Sequence, residues 1–173
     1  MILKLLKNLE KESRSKKIPI IGKEKGAWLL KKVILTKPKF ILELGTANGY
    51  SGIILGSQGA KLITIEKDKN IIQKAIINFK KFKINAEIIQ GDGLEEINKL
   101  SQKFDIIFID FSKKDYIKVL EKAIELTKKN GLIIADNITF KNCQEYKKAV
   151  LNHKELSTEI IDIKDGLSCS KKL

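Results

Sequence analysis

Short, nearly unbroken apolar runs alternate with amphipathic stretches along most of this chain. Phe40, Ile41, Leu42 and Leu44, with Glu43 near the carboxyl end, read as a strand buried on both faces. Similar runs over 62–66, 87–90, 105–109 and 132–135 predict four more strands. Between them, residues 50–55, 70–83, 94–101, 116–129 and 144–153 carry helix signals. Ile72, Ala75, Ile76 and Phe79 share one helical face, as do Tyr116, Val119, Leu120 and Ala123. Two further strands, 158–163 and 167–170, are joined through Asp165-Gly166, a hairpin signal. Ahead of this alternation, Ile2, Leu3, Leu5, Leu6 and Leu9 recur at helical spacing, 18–22 reads as an extended link around Pro19, and 23–35 predicts a helix ending before Pro38. Repeated βα units closed by an antiparallel pair predict an α/β fold, a doubly wound, mostly parallel seven-stranded sheet with an antiparallel C-terminal strand.

The stretch from Gly45 to Gly49 interrupts this pattern between a strand and a helix. A glycine turn there brings backbone N–H groups and a helix N-terminus up to a ligand, although glycines at such corners also serve plain steric relief. The next strand ends in Glu66, about twenty residues after the turn, where a carboxylate can accept both hydroxyls of a ribose. Together the two features indicate a cofactor that contains a nucleoside.

With 173 residues, 43% of them hydrophobic, the chain reads as one domain with a real core. Its opening MILKLLKNLE has lysines among the apolar residues and no small-residue cleavage site, which indicates neither a signal peptide nor a membrane span. Cys143 and Cys169 show no metal spacing and no paired framework, which suits a reducing compartment, so a cytoplasmic protein is expected. Charge changes the picture more: 34 basic against 21 acidic residues gives +13, with much of the excess before Pro38. Such a surface attracts polyanions, and a lysine-rich genomic composition explains it equally well. Only Arg14 among the basic residues is an arginine, which argues against dedicated phosphate or base recognition.

Several motifs carry a more specific resemblance. ELGTANGYS (43–51), Gly91-Asp92-Gly93, FDIIFIDFSKKDY (104–116), IIADNITF (133–140) and Lys164-Asp165-Gly166-Leu167 together resemble the S-adenosylmethionine-dependent methyltransferases of the Rossmann-like class. Within that class they resemble the cation-dependent O-methyltransferases related to catechol and caffeoyl-coenzyme A methyltransferases, from about Gly22 to Leu173. The resemblance implies a Rossmann-like core over 38–173 behind a helical segment over 1–37, and a homodimer. It also implies a cofactor site comprising Ile21, Glu43, Gly45, Ala47, Gly49, Tyr50, Ser51, Glu66, Lys67, Gly91, Asp92, Gly93, Asp110 and Phe111. The glycine turn and Ser51 would hold the methionine part, Glu66 the ribose, and Asp92 with Gly93 the adenine, while Phe111 stacks beside the cofactor or serves the core.

Asp110, Asp136 and Asn137 fall at the carboxyl ends of two strands, the edge where open α/β sheets place ligands. Two carboxylates and an amide oxygen form a hard, oxygen-only set suited to Mg²⁺. Such an ion lowers the pKa of a bound hydroxyl and fixes it toward a methyl donor. Lys113 is the candidate base, in keeping with the resemblance; an ammonium near a divalent cation in a dry pocket is pushed toward the neutral amine. The alternative for Lys113 is a solvated lysine in a charged loop, and for Asp136-Asn137 an ordinary turn.

The acceptor is expected to be a small catechol-like hydroxyl compound. Only residues 138–143 separate Asn137 from the final helix, shorter than the family usually carries, so the acceptor side should be less covered. An open site beside a basic surface leaves a hydroxyl of RNA, tRNA included, as an alternative acceptor. A non-catalytic cofactor- or RNA-binding module is the alternative of another class. Hydride transfer with NAD fits less well, because the turn lacks a full GxGxxG.

Overall fold

A computed structural model describes residues 2–173. Its seven strands are β1 (Phe40–Leu44), β2 (Lys61–Glu66), β3 (Ala86–Gln90), β4 (Phe104–Ile109), β5 (Thr127–Asp136), β6 (Leu156–Ile161) and β7 (Leu167–Lys172). They form one sheet in the order β3-β2-β1-β4-β5-β7-β6. Pairing is parallel from β3 to β5, and β7 runs antiparallel to both β5 and β6, as the sequence pattern predicts. The winding reverses between β1 and β4, and this reversal opens a crevice at the carboxyl ends of those strands.

Alternation along the strands divides the core into two layers. Ile107 and Ile109 of β4 face α7 (Tyr116–Leu126) and α8 (Gln144–Asn152), whereas Ile106 and Phe108 face the opposite way. The second layer packs on α3 (Gly22–Thr36), α4 (Tyr50–Gly56) and α5 (Lys69–Lys81), with Leu6 and Leu9 of the N-terminal segment joining it. Because both faces are covered, Ile41, Leu42 and Leu44 are all fully buried, the pattern expected of a parallel strand. No helix among the described residues is long and apolar enough to cross a membrane.

Boundaries differ from the sequence pattern where side chains act on the backbone. The N-terminal helix extends well beyond Leu9, as α1 (Ile2–Leu5) and α2 (Lys7–Ser15). Glu10–Arg14 and Glu12–Lys16 pair along α2, and Ser13 Oγ donates to the Leu9 carbonyl. Helix α7 stops at Leu126, three residues short of the periodic signal. Thr127 is already extended, its hydroxyl donates to the Ala123 carbonyl, and Lys128 pairs with Asp105 across the irregular start of β5. The 94–101 helix shrinks to α6 (Gly93–Glu96) and a 3₁₀ turn, Ile97–Lys99. Asp165-Gly166 is not a two-residue hairpin turn but the end of a 162–166 loop, with φ of 58° at Lys164 and 74° at Gly166. Thr139 N donates to the Asp165 carbonyl, which docks this loop beside the carboxyl end of β5.

Beneath the crevice Glu43 is wholly buried and accepts hydrogen bonds from Ser51 Oγ (2.6 Å) and Thr64 Oγ1 (2.7 Å). Burial pushes its carboxyl up to about 8, against the lowering effect of those two hydroxyls. A carboxyl that holds its proton more tightly when folded favours folding below its ordinary value near 4.5, and that contribution is lost as pH rises toward 8. Glu43→Gln should therefore flatten the pH dependence of stability. Chemical denaturation from about pH 5 to about pH 9 should show the wild-type protein losing stability relative to the variant, on the order of 1.4 kcal/mol per unit between the two values. Parallel curves would contradict this.

Candidate active site

The crevice is a cleft of about 860 Å³, floored by the ends of β1, β2, β4 and β5. Its first wall is the turn after β1. Gly45 has φ 100°, and a Cβ on it would lie 2.1 Å from the Asp110 carbonyl oxygen, so only glycine lets the ends of β1 and β4 approach this closely. Gly45, Ala47, Tyr50 and Ser51 line the cleft. Glu43 lies beneath the turn, and Gly49 is packed on Phe79; neither lines the cleft. Ile21 is buried at the start of α3, and Pro19 and Ile20 line the cleft there instead.

Glu66 and Lys67 form the next edge of the cleft. The Glu66 carboxylate is fixed by three backbone donors: Ala47 N at 3.0 Å on one oxygen, Lys67 N and Asp68 N at 2.9 and 3.0 Å on the other. That leaves it roughly one further acceptor site. Gly91, Asp92 and Gly93 line the cleft after β3, and Asp92 also caps α6 by accepting from Leu94 N. Phe111 lies between Gly93 and Tyr116, stacked on the tyrosine ring at 5.8 Å, and lines the cleft.

Asp110, Lys113, Asp136 and Asn137 converge at the far end of the cleft. Lys113 Nζ donates to Asp110 Oδ1 at 2.5 Å and sits 5.4 Å from the centre of the Tyr116 ring. Burial and the charge of Asp110 push the Asp136 carboxyl up to about 6, even though the Lys25 ammonium pulls the other way. Among the described residues no three carboxylates, histidines or cysteines are gathered as a ready-made metal cluster. The oxygen donors of this corner are Asp110, Asp136, the Asn137 amide and Asp165.

Lys25 and Asp165 are members of the site that the sequence pattern does not assign. Lys25 is almost completely buried and donates to both Asp136 and Asp165. Asp165 reaches the cleft from the β6–β7 loop and accepts from Asn137 Nδ2 at 2.6 Å. Burial acts to raise the Asp165 carboxyl, but the Lys25 ammonium and the Asn137 amide outweigh it and hold the group below its ordinary range. One signal for Lys25 exists in the chain: the buried stripe of α3 runs through Gly22, Lys25, Gly26, Leu29 and Val33, and a lysine inside such a stripe needs a buried anion.

Over residues 2–172 the chain matches the family model described as O-methyltransferase. It is 29% identical over 147 residues to catechol O-methyltransferase B of Danio rerio, covering 78% of this chain and 55% of that protein. The chain thus spans about half the length of the fish relative. It is 27% identical over 165 residues to a probable cobalt-precorrin-6B C(15)-methyltransferase (decarboxylating) of Sulfolobus acidocaldarius, covering 91% and 84%. The crystal structure of a putative caffeoyl-CoA O-methyltransferase from Staphylococcus aureus superposes with a TM-score of 0.89 at 26% identity, over 99% of this chain and 92% of that one. The sheet order, the cleft at the winding reversal and a family match running almost end to end agree, and this chain belongs to the O-methyltransferase family.

Proposed function

We propose that the protein transfers the methyl group of S-adenosylmethionine to a hydroxyl of a small, catechol-like acceptor, with a divalent cation such as Mg²⁺ at Asp110, Asp136 and Asn137. The observation that carries this reading is the convergence of those three side chains with Lys113 beside the glycine turn. The charge balance supports a cation there. Among the described residues, Asp110, Asp136 and Asp165 pair only with Lys25 and Lys113, and burial together with the charge of Asp110 raises Asp136. The donor chemistry, carboxylate and amide oxygen, suits a hard ion. Such an ion supplies Lewis acidity that favours the alkoxide form of an acceptor hydroxyl and orients it.

The chain's own residues supply the rest. The turn N–H groups and Ser51 would hold the methionine end of the donor, Glu66 a ribose hydroxyl at its remaining acceptor position, and Asp92, Gly93 and Phe111 the base. Held by these residues, the donor would be oriented for an in-line displacement, which needs donor and acceptor in near-attack contact. Lys113 Nζ would take the hydroxyl proton as the neutral amine, so the proton it donates to Asp110 in this arrangement must first pass to solvent. A homodimeric, cytoplasmic enzyme belongs to the same reading.

One pair of observations favours a second acceptor class. Phe140 lines the cleft mouth yet is 46% exposed, and the chain carries +13. An exposed aromatic side chain at the cleft of a strongly basic chain suits a hydroxyl of tRNA, and salt-dependent tRNA binding would favour that acceptor.

Calorimetric titration should show S-adenosylhomocysteine binding to the wild-type protein, and Glu66→Ala should weaken it at least about tenfold, or 1.4 kcal/mol. Absence of wild-type binding would contradict the cofactor assignment, and an unchanged constant in the variant would contradict the role of Glu66. Lys113→Met should lower turnover by about 10²- to 10⁴-fold while leaving S-adenosylhomocysteine affinity intact. Turnover and a pH–rate profile matching the wild type would place the base elsewhere.

A further inference from the structure

We propose that Asp165 is a positioning residue whose carboxylate, anchored on the buried Lys25, turns the Asn137 amide so that its oxygen faces the cation position in the cleft. The inference rests on the metal reading above and adds two residues to it.

A carboxylate only accepts, whereas a primary amide donates from nitrogen and accepts at oxygen. Asp165 has Lys25 Nζ on one oxygen and Asn137 Nδ2, at 2.6 Å, on the other. Its partner at position 137 must therefore offer nitrogen, which turns the amide oxygen away from Asp165. Asn137 lines the cleft beside Asp136 and Asp110, where that oxygen completes the proposed donor set.

Three separate parts of the chain build this arrangement. Asp165 lies in the loop between β6 and β7, which is docked on the segment just after β5 through Thr139 N and the Asp165 carbonyl. Lys25 arrives from α3 and binds Asp136 as well, so one ammonium fixes a proposed ligand and the residue that orients the next ligand. Asn137 N donates to Asp136 Oδ1 at 2.7 Å, which ties the two neighbouring side chains together. The simpler explanation for Asn137 is its backbone: φ is 57°, a left-handed conformation that asparagine tolerates. That accounts for an asparagine or a glycine at the position, but not for an amide clamped to a carboxylate that is itself clamped to a buried lysine. Partners of this kind behind metal ligands typically change affinity by about 10- to 100-fold when removed.

The test measures Mn²⁺ binding by electron paramagnetic resonance in the wild-type protein, Asp165→Asn, Asn137→Asp and the double variant. In Asp165→Asn the amide oxygen still serves Lys25, but its nitrogen meets the nitrogen of Asn137. The Asn137 amide then turns over, and Mn²⁺ affinity should fall about 10- to 100-fold. Asn137→Asp brings two carboxylates face to face. Adding Asp165→Asn to it restores a donor for residue 137 and should raise affinity, so the same substitution acts with opposite sign in the two backgrounds. An equal fall in both backgrounds would mean that Asp165 contributes only charge, and no change in either would mean that it contributes nothing; each result overturns the proposal. If the wild-type protein binds no Mn²⁺, the metal reading fails and takes the proposal with it. Thermal melts of the metal-free variants, expected within a few degrees of the wild type, separate loss of orientation from loss of fold.

Discussion

The contact between Gly45 and the backbone of Asp110 is the constraint on which the rest of the site depends. At 2.1 Å from a would-be Cβ to the Asp110 carbonyl oxygen, no other residue fits between these two strand ends without moving one of them. The contact lies where the winding of the sheet reverses, so it joins the two halves of the site. On one side the glycine turn faces the proposed cofactor, and on the other Asp110 to Lys113 face the proposed acceptor. Sheet hydrogen bonds hold both sides: Gly45 N donates to Ile65 O and Asp110 N to Leu44 O, each at 2.9 Å. Reacting groups placed by strand register are held more tightly than groups placed by loops alone.

A second constraint is electrostatic. Buried charges persist only when paired, and at the far end of the cleft Lys25 pairs with Asp136 and Asp165 while Lys113 pairs with Asp110. The imbalance falls on Asp136, which is raised by its burial and by Asp110, whereas Asp165 is lowered by Lys25 and Asn137. The two halves of the cluster therefore differ in character. Asp165 is committed to its partners, while Asp136 and Asp110 share a surplus of negative charge beside the cleft. Pairing of this kind adds little net stability.

Much of this was legible in the chain because the informative residues are local. Strand, glycine turn, helix and following acid occupy a continuous stretch from Phe40 to Glu66, and both Asp110–Lys113 and Asp136-Asn137 sit at strand ends that apolar runs announce. What escaped depends on contacts distant in sequence. Lys25 meets Asp136 and Asp165 across separations of 111 and 140 residues, and in the sequence it is one lysine in a strongly basic N-terminal segment. Asp165 read as a turn residue because Asp-Gly between strands signals a hairpin, yet a longer loop turns its side chain into the site. Glu43 lies at the end of its strand as expected, but full burial beneath the turn makes it a support for Ser51 and Thr64 and keeps it out of the cleft lining. The predicted helix over 116–129 overruns α7 because helical periodicity continues past Leu126 while Thr127 and Lys128 find partners in an extended conformation.

The most direct test of the account is transfer of a labelled methyl group from S-adenosylmethionine to a catechol, followed with Mg²⁺ present and with the cation removed by chelator. The account predicts an O-methylated product that forms only with the cation and reappears when Mg²⁺ is restored. Equal rates with and without chelator, or a product methylated on carbon, would contradict it.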